Sequence, residues 1–138
     1  MIEIVLVGIL CHFLGDYFIQ TDWMAQEKTK YWSPAIIHGV TYGVPFVIAA
    51  LIMSSWEMSL LALSVIVVTH IVIDHYRLAR HVIWFKNQFA PKKYRYTWRN
   101  GNITGYRNDA PVWLTTWLMI ITDNVIHVVI NTGAILYL

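Results

Sequence analysis

The chain has 138 residues, of which 57% are hydrophobic and only 13% charged, with a formal net charge of +2. A soluble domain carries roughly 25% charged residues, so the composition argues against a water-soluble globule and for a protein of the bilayer. The length suits one compact domain, expected over residues 1–138, and a single cysteine excludes an internal disulfide.

A membrane span needs about 20 mostly apolar residues. The first candidate runs from about Ile2 to Gln20 and lacks the cleavage pattern of a signal peptide. A short polar loop, Thr21 to Ser33, leads to a second span from about Pro34 to Met53. That span holds Pro45 and a small-xxx-small pair, Gly39 and Gly43, which predicts close helix packing. Ser54 to Met58 reads as a tight turn. The third span, about Ser59 to Tyr76, has a pattern that extends as helix through Phe85. A long basic and aromatic loop, Arg77 to Ala110, precedes the fourth span, about Pro111 to Leu138. The Val- and Ile-rich runs are too long for strands. The expected fold is therefore all-α, a polytopic bundle of about four transmembrane helices.

All ten Lys and Arg residues lie in the first and third loops. With four spans these loops share a side, which the positive-inside rule makes cytoplasmic, leaving both termini outside. The expected location is the bacterial inner membrane. Trp23, Trp32, Trp84, Trp113 and Trp117 flank the cytoplasmic ends and Trp56 marks the outer turn, all interfacial belt positions.

The spans also carry polar residues that hydrocarbon does not tolerate without a reason. His12 and Asp16, His70 and Asp74, and Asp123 and His127 are pairs spaced i, i+4, each on one helix face. His38 stands in the second span. All seven fall within about ten residues of the cytoplasmic boundary, hence in one half of the membrane at about 1.5 Å per residue. No Lys or Arg lies in a span to balance Asp16, Asp74 and Asp123. The carboxylates must be protonated, paired with imidazolium or bound to cations. Histidines and aspartates at helical spacing are a natural ligand set for one or two divalent ions (zinc, manganese or iron). The expected metal ligands are His12, Asp16, His38, His70, Asp74, Asp123 and His127, with the three aspartates as catalytic groups. Gln20, Asn131 and His75 are better placed to orient ligands than to bind the ion.

The stretch from His12 to Met24, containing His12, Asp16, Gln20 and Asp22, resembles the opening signature of a family of small bacterial and phage membrane proteins of unknown function. His38, the His70/Asp74 pair and the Asp123/His127 pair resemble its other blocks. The pattern is similar, more loosely, to inner-membrane metal-dependent hydrolases. The third loop, with Trp98, Thr104-Gly105-Tyr106 and Pro111, suggests a phage origin.

Three functions are open on this reading. The first is a metal-dependent hydrolase acting on a phosphoester or lipid-linked substrate at the cytoplasmic leaflet, since metal-bound water loses its proton near neutral pH. Lys92, Lys93, Arg95 and Arg99, interleaved with Tyr94, Tyr96 and Trp98, would hold an anionic head group. The same mixture suits nucleic-acid phosphates, although nucleic acid is not the expected partner. The second is a proton or metal-ion path. The third is a non-enzymatic phage membrane protein that binds a host partner. A homo-oligomer would enclose a larger cavity than one chain of this size.

Overall fold

The computed structural model describes residues 1–54 and 56–138. Its described elements are helical, and the one described β contact is an isolated bridge between Gly101 and Arg107. Helix α1 (Ile2–Phe13) runs directly into a π turn (Leu14–Ile19). Then follow α2 (Asp22–Glu27), α3 (Trp32–Ile52), α4 (Leu60–Tyr76), α5 (Ala79–Asn87) and α6 (Val112–Tyr137). Residues Ile2–Ile19, α3 and α6 are each long and apolar enough to cross a membrane, and α4 joins them if it is counted with α5 as one broken span. The bounds agree with the four expected spans to within two residues at each end.

The connections differ more. The first loop is not simply polar coil: Thr21 accepts the Met24 amide N–H and so caps the short helix α2. The third span does not continue as helix through Phe85. It stops at Tyr76, because Arg77 takes a left-handed conformation (φ 52°) that cannot propagate a right-handed helix. The turn expected at Ser54 to Met58 includes Ser55, which lies outside the described residues. Trp56 is not an interfacial residue. It is 4% exposed and belongs to the apolar cluster of Phe46, Ala62 and Ile66, where its large ring gains more by burial.

The chain divides into two compact units, Met1–Tyr76 with His127–Leu138, and Arg77–Ile126. In the first, polarity is inverted relative to a soluble protein. Leu10, Val40, Val44 and Val68 are exposed, whereas His12, His38 and His70 are completely buried. An apolar outer surface around a polar interior is what hydrocarbon solvent selects. Two close approaches hold the interior together. Gly39 and Gly43 of α3 face α4 so closely that a Cβ on Gly39 would overlap the Ile71 side chain, and one on Gly43 would lie 2.8 Å from Val67 Cγ2. The expected small-residue packing face is therefore real. Gly15 lets the π turn lie against Tyr42, where a Cβ would come within 2.6 Å of the ring.

The second unit gives the third loop a defined structure. Two short 3₁₀ turns, Lys92–Tyr94 and Trp98–Asn100, follow α5. The Arg80 guanidinium sits 4.5 Å from the Trp98 ring centre, and the His81 ring stacks on Trp98 at 4.7 Å. The Tyr96 hydroxyl donates to the Gly105 carbonyl, and burial pushes the phenol pKa upward. Arg107 and Asp109 form an exposed ion pair, whose hydrogen bond holds the Asp109 carboxyl below the usual carboxylate range.

Candidate metal centre

Three segments of the first unit supply a buried cluster. The π turn presents Asp16, α3 presents His38, and α4 presents His70 and Asp74 one turn apart. A π turn is costly in a helix and recurs at functional sites; here it carries the carboxylate. All four side chains are buried.

The groups converge through particular atoms. The Nε2 atoms of His38 and His70 are 2.9 Å apart. His38 Nε2 lies 3.1 Å from Asp16 Oδ1 and 3.2 Å from Asp74 Oδ2. His70 Nε2 lies 3.6 Å and 3.2 Å from the same two oxygens. One ligand atom from each of the four residues falls within 4.8 Å of all the others. Nitrogen and oxygen ligands at about 2.0–2.1 Å from a tetrahedral ion are separated by roughly 3.3 Å, and these separations bracket that value. The two imidazole nitrogens and the carboxylate oxygens beside them are therefore close enough together to serve as ligands of one ion. Nδ1 of His38 and of His70 has no hydrogen-bond partner among the described residues. A proton on Nδ1 leaves the Nε2 lone pair of each ring turned toward the shared centre.

Around this cluster lies a hydrogen-bonded frame. His127 on α6 approaches the other Asp74 oxygen, Oδ1, at 3.3 Å. His12 Nε2 stands 4.0 Å from Asp16 Oδ2, and its Nδ1 is 2.8 Å from the Tyr42 hydroxyl. That hydroxyl accepts from Asn131 Nδ2 at 2.6 Å, and so joins Asn131 on α6 to His12 on α1. The Tyr42 ring also stacks on His70 at 3.6 Å between centres. Asp123 is half-buried on α6, one turn before His127, and belongs to the second unit.

One expectation is overturned. The buried carboxylates do have a basic partner: Lys28, from the first loop, reaches into the cluster. Its ammonium donates to Asp74 Oδ2 at 2.7 Å and to Gln20 Oε1 at 2.6 Å, and lies 3.3 Å from His38 Nε2. The long flexible stem brings the charge in from a loop residue. His75 faces the Lys28 backbone: its Nδ1 is 2.8 Å from the Lys28 carbonyl oxygen, and its ring stacks on Trp32 at 3.9 Å.

Tyr42 and Lys28 are the two residues that sequence reasoning passed over. Tyr42 follows His38 by four residues, the same spacing that marks the His/Asp pairs, and that signal was available. For Lys28 the signal was the charge deficit itself, since only Lys28 and Lys30 stand in the loop beside the first two spans.

The residues expected to hold an anionic head group lie in the second unit. Lys92, Lys93, Arg95 and Arg99 are all exposed. Arg95 Nε donates to the Ala90 carbonyl, and Lys93 sits over the Tyr94 ring. Arg95 also borders a shallow cleft of about 380 Å³ with Trp84, Gln88, Tyr96, Thr97 and Trp98.

No curated protein and no solved structure matches the chain. Residues 4–98 match the model of a family described as protein of unknown function, DUF3307, a stretch that includes Asp16, Lys28, His38, His70 and Asp74 and ends before Asp123 and His127. The chain belongs to the DUF3307 family.

Proposed function

We propose that the protein is a metal-dependent hydrolase of the bacterial inner membrane, acting on a phosphoester or lipid-linked substrate at the cytoplasmic leaflet. The observation that carries this reading is the convergence of Asp16, His38, His70 and Asp74 inside an apolar helical unit, with their ligand atoms mutually within 4.8 Å. A divalent ion held there (zinc, manganese or iron), with a further coordination position open to water, would supply an activated water and charge stabilisation. The protein's own groups have separable parts. Asp16, His38, His70 and Asp74 would hold the ion. His127 and His12 fix the two carboxylates from behind. A carboxylate oxygen not engaged with the ion would be the group to accept a proton, and Asp123 is assigned a catalytic part to be tested by Asp123→Asn. Lys92, Lys93, Arg95 and Arg99 would hold the anionic head group, with the basic loops on the cytoplasmic side by the positive-inside rule.

Elemental analysis of the purified protein tests the core of this reading. One or two equivalents of a transition metal in the wild type, lost in His70→Ala and Asp74→Ala, supports it and justifies a screen against phospholipids and polyprenyl phosphates. A folded, metal-free protein with undiminished activity refutes it.

A second reading is a proton relay. It is favoured by the line of polar contacts from Asn131 through Tyr42 and His12 toward Asp16, and on through His38 and His70 to Asp74 and His127. Proton flux in proteoliposomes, abolished by Tyr42→Phe, separates it from hydrolysis.

A further inference from the structure

Lys28 is an unusual component of a ligand cluster, because its ammonium competes for the carboxylate oxygen that an ion would use. Asp74 Oδ2 is shared by Lys28 at 2.7 Å, His38 at 3.2 Å and His70 at 3.2 Å. A divalent ion bound by that oxygen and by His38 Nε2 would place its charge next to the ammonium, which lies within 3.3 Å of both. Two cations at that range inside a low-dielectric interior repel strongly.

Three features make Lys28 removable rather than fixed. It belongs to a loop, at the end of the short helix α2, and not to a span. Its side chain keeps 16% exposure, against 3% for Asp74, so it has an open side toward which the stem can swing. Its backbone is anchored separately, by His75 Nδ1 on its carbonyl and by the stacking of His75 on Trp32. The ammonium can therefore leave without unfolding the loop, since four rotatable bonds separate it from the anchored backbone.

We infer that Lys28 is a resident counter-ion, which neutralises one of the two carboxylates of the Asp16/Asp74 cluster when no metal is bound and is displaced from it when a divalent ion enters. This rests on the metal reading above. It makes the site a switch between two cation-occupied states, with a loop side chain in or out. The out state leaves a lysine ammonium free near the cluster, suited to meeting an anionic substrate group only after the metal is in place.

The test combines affinity and labelling at fixed pH, with Zn²⁺ and Mn²⁺ as the probes. In Lys28→Met the competitor is gone, so the ion should bind more tightly than in wild type by about tenfold or more, or about 1.4 kcal/mol. Lys28→Arg keeps the charge and should not tighten binding. Acetic anhydride labelling of the wild type, read by mass spectrometry, gives a measurement that needs no variant. Lys28 should be protected in chelator relative to Lys30, whose side chain is 59% exposed, and should become several-fold more reactive when the metal is bound. Metal uptake with Lys28 still protected, or equal affinities in wild type and Lys28→Met, overturns the displacement while leaving the metal site standing. No uptake by either protein overturns the metal reading and this inference with it.

Discussion

The metal-free protein should depend on the Lys28–Asp74 pair for its stability, and a double-mutant cycle measures how much. Asp74 is almost completely buried; Lys28 donates to it, and the Nε2 atoms of His38, His70 and His127 lie within 3.3 Å of its two oxygens. Replacing it with Asn keeps the shape but leaves the ammonium facing a neutral amide. Removing one member of a buried ion pair costs about 3–5 kcal/mol. Lys28 retains some access to water and can retract, which places Asp74→Asn lower, at about 2–3 kcal/mol. Lys28→Met leaves the enclosed carboxylate without its cation and should cost about 3 kcal/mol. The double variant removes both charges together, so it should lose at least about 2 kcal/mol less than the two costs combined. The assay is denaturant unfolding in detergent micelles with chelator present, followed by tryptophan fluorescence. The exposed Arg107–Asp109 pair serves as a control that should show no measurable coupling. Costs for Lys28→Met and Asp74→Asn that add to within about 0.5 kcal/mol refute the reasoning, because they would mean that the ammonium and the carboxylate do not stabilise one another.

Other expectations follow from the same geometry. Gly39→Ala forces a methyl group into Ile71, so it should cost about 1–3 kcal/mol in the same unfolding assay and weaken Zn²⁺ binding by separating His38 from His70. Tyr42→Phe removes the hydroxyl shared by Asn131 and His12; a loss of about 1–3 kcal/mol is expected for the polar groups left behind, and an unchanged midpoint would show that the hydroxyl is dispensable. Dialysis of metal-loaded protein against chelator should lower its melting temperature reversibly, and the drop should be larger in Lys28→Met than in wild type, as differential scanning fluorimetry would show.

The spans were legible because each is a long apolar run, and hydrocarbon fixes the length of such runs physically. Much of the cluster was legible for a related reason. A histidine four residues from an aspartate shares its helix face, and neither belongs on a lipid-facing surface, so His12, Asp16, His70, Asp74 and His127 had to turn inward together. The helix break at Arg77 was not legible, since no glycine or proline announces it and its left-handed backbone is a tertiary outcome. Trp56 was misread because an amphipathic ring suits both an interface and a core, and only packing against Phe46 and Ile66 decides between them. Lys28 escaped for a different reason. Periodicity describes where backbones place Cβ atoms, whereas a lysine head group can lie well away from its own.

Packing and chemistry are not independent in this protein, because α3 carries them on adjacent positions. His38 and Tyr42 face the cluster, and the next residue in each case, Gly39 or Gly43, faces α4. The approach of α3 to α4 is what allows His38 Nε2 to come within 2.9 Å of His70 Nε2. His70 is in turn followed by Ile71, the side chain that fills the groove above Gly39. A glycine at 39 and an isoleucine at 71 thus set the distance between the histidines at 38 and 70. If that is the physical link, volume rather than identity is what matters at the two positions. Ile71→Ala in the Gly39→Ala background should return the helices to their spacing and recover Zn²⁺ affinity, although neither residue offers a ligand atom. Failure of that rescue, with the double variant folded, would place the control of the histidine spacing elsewhere, and the π turn holding Asp16 against Tyr42 would be the next element to test.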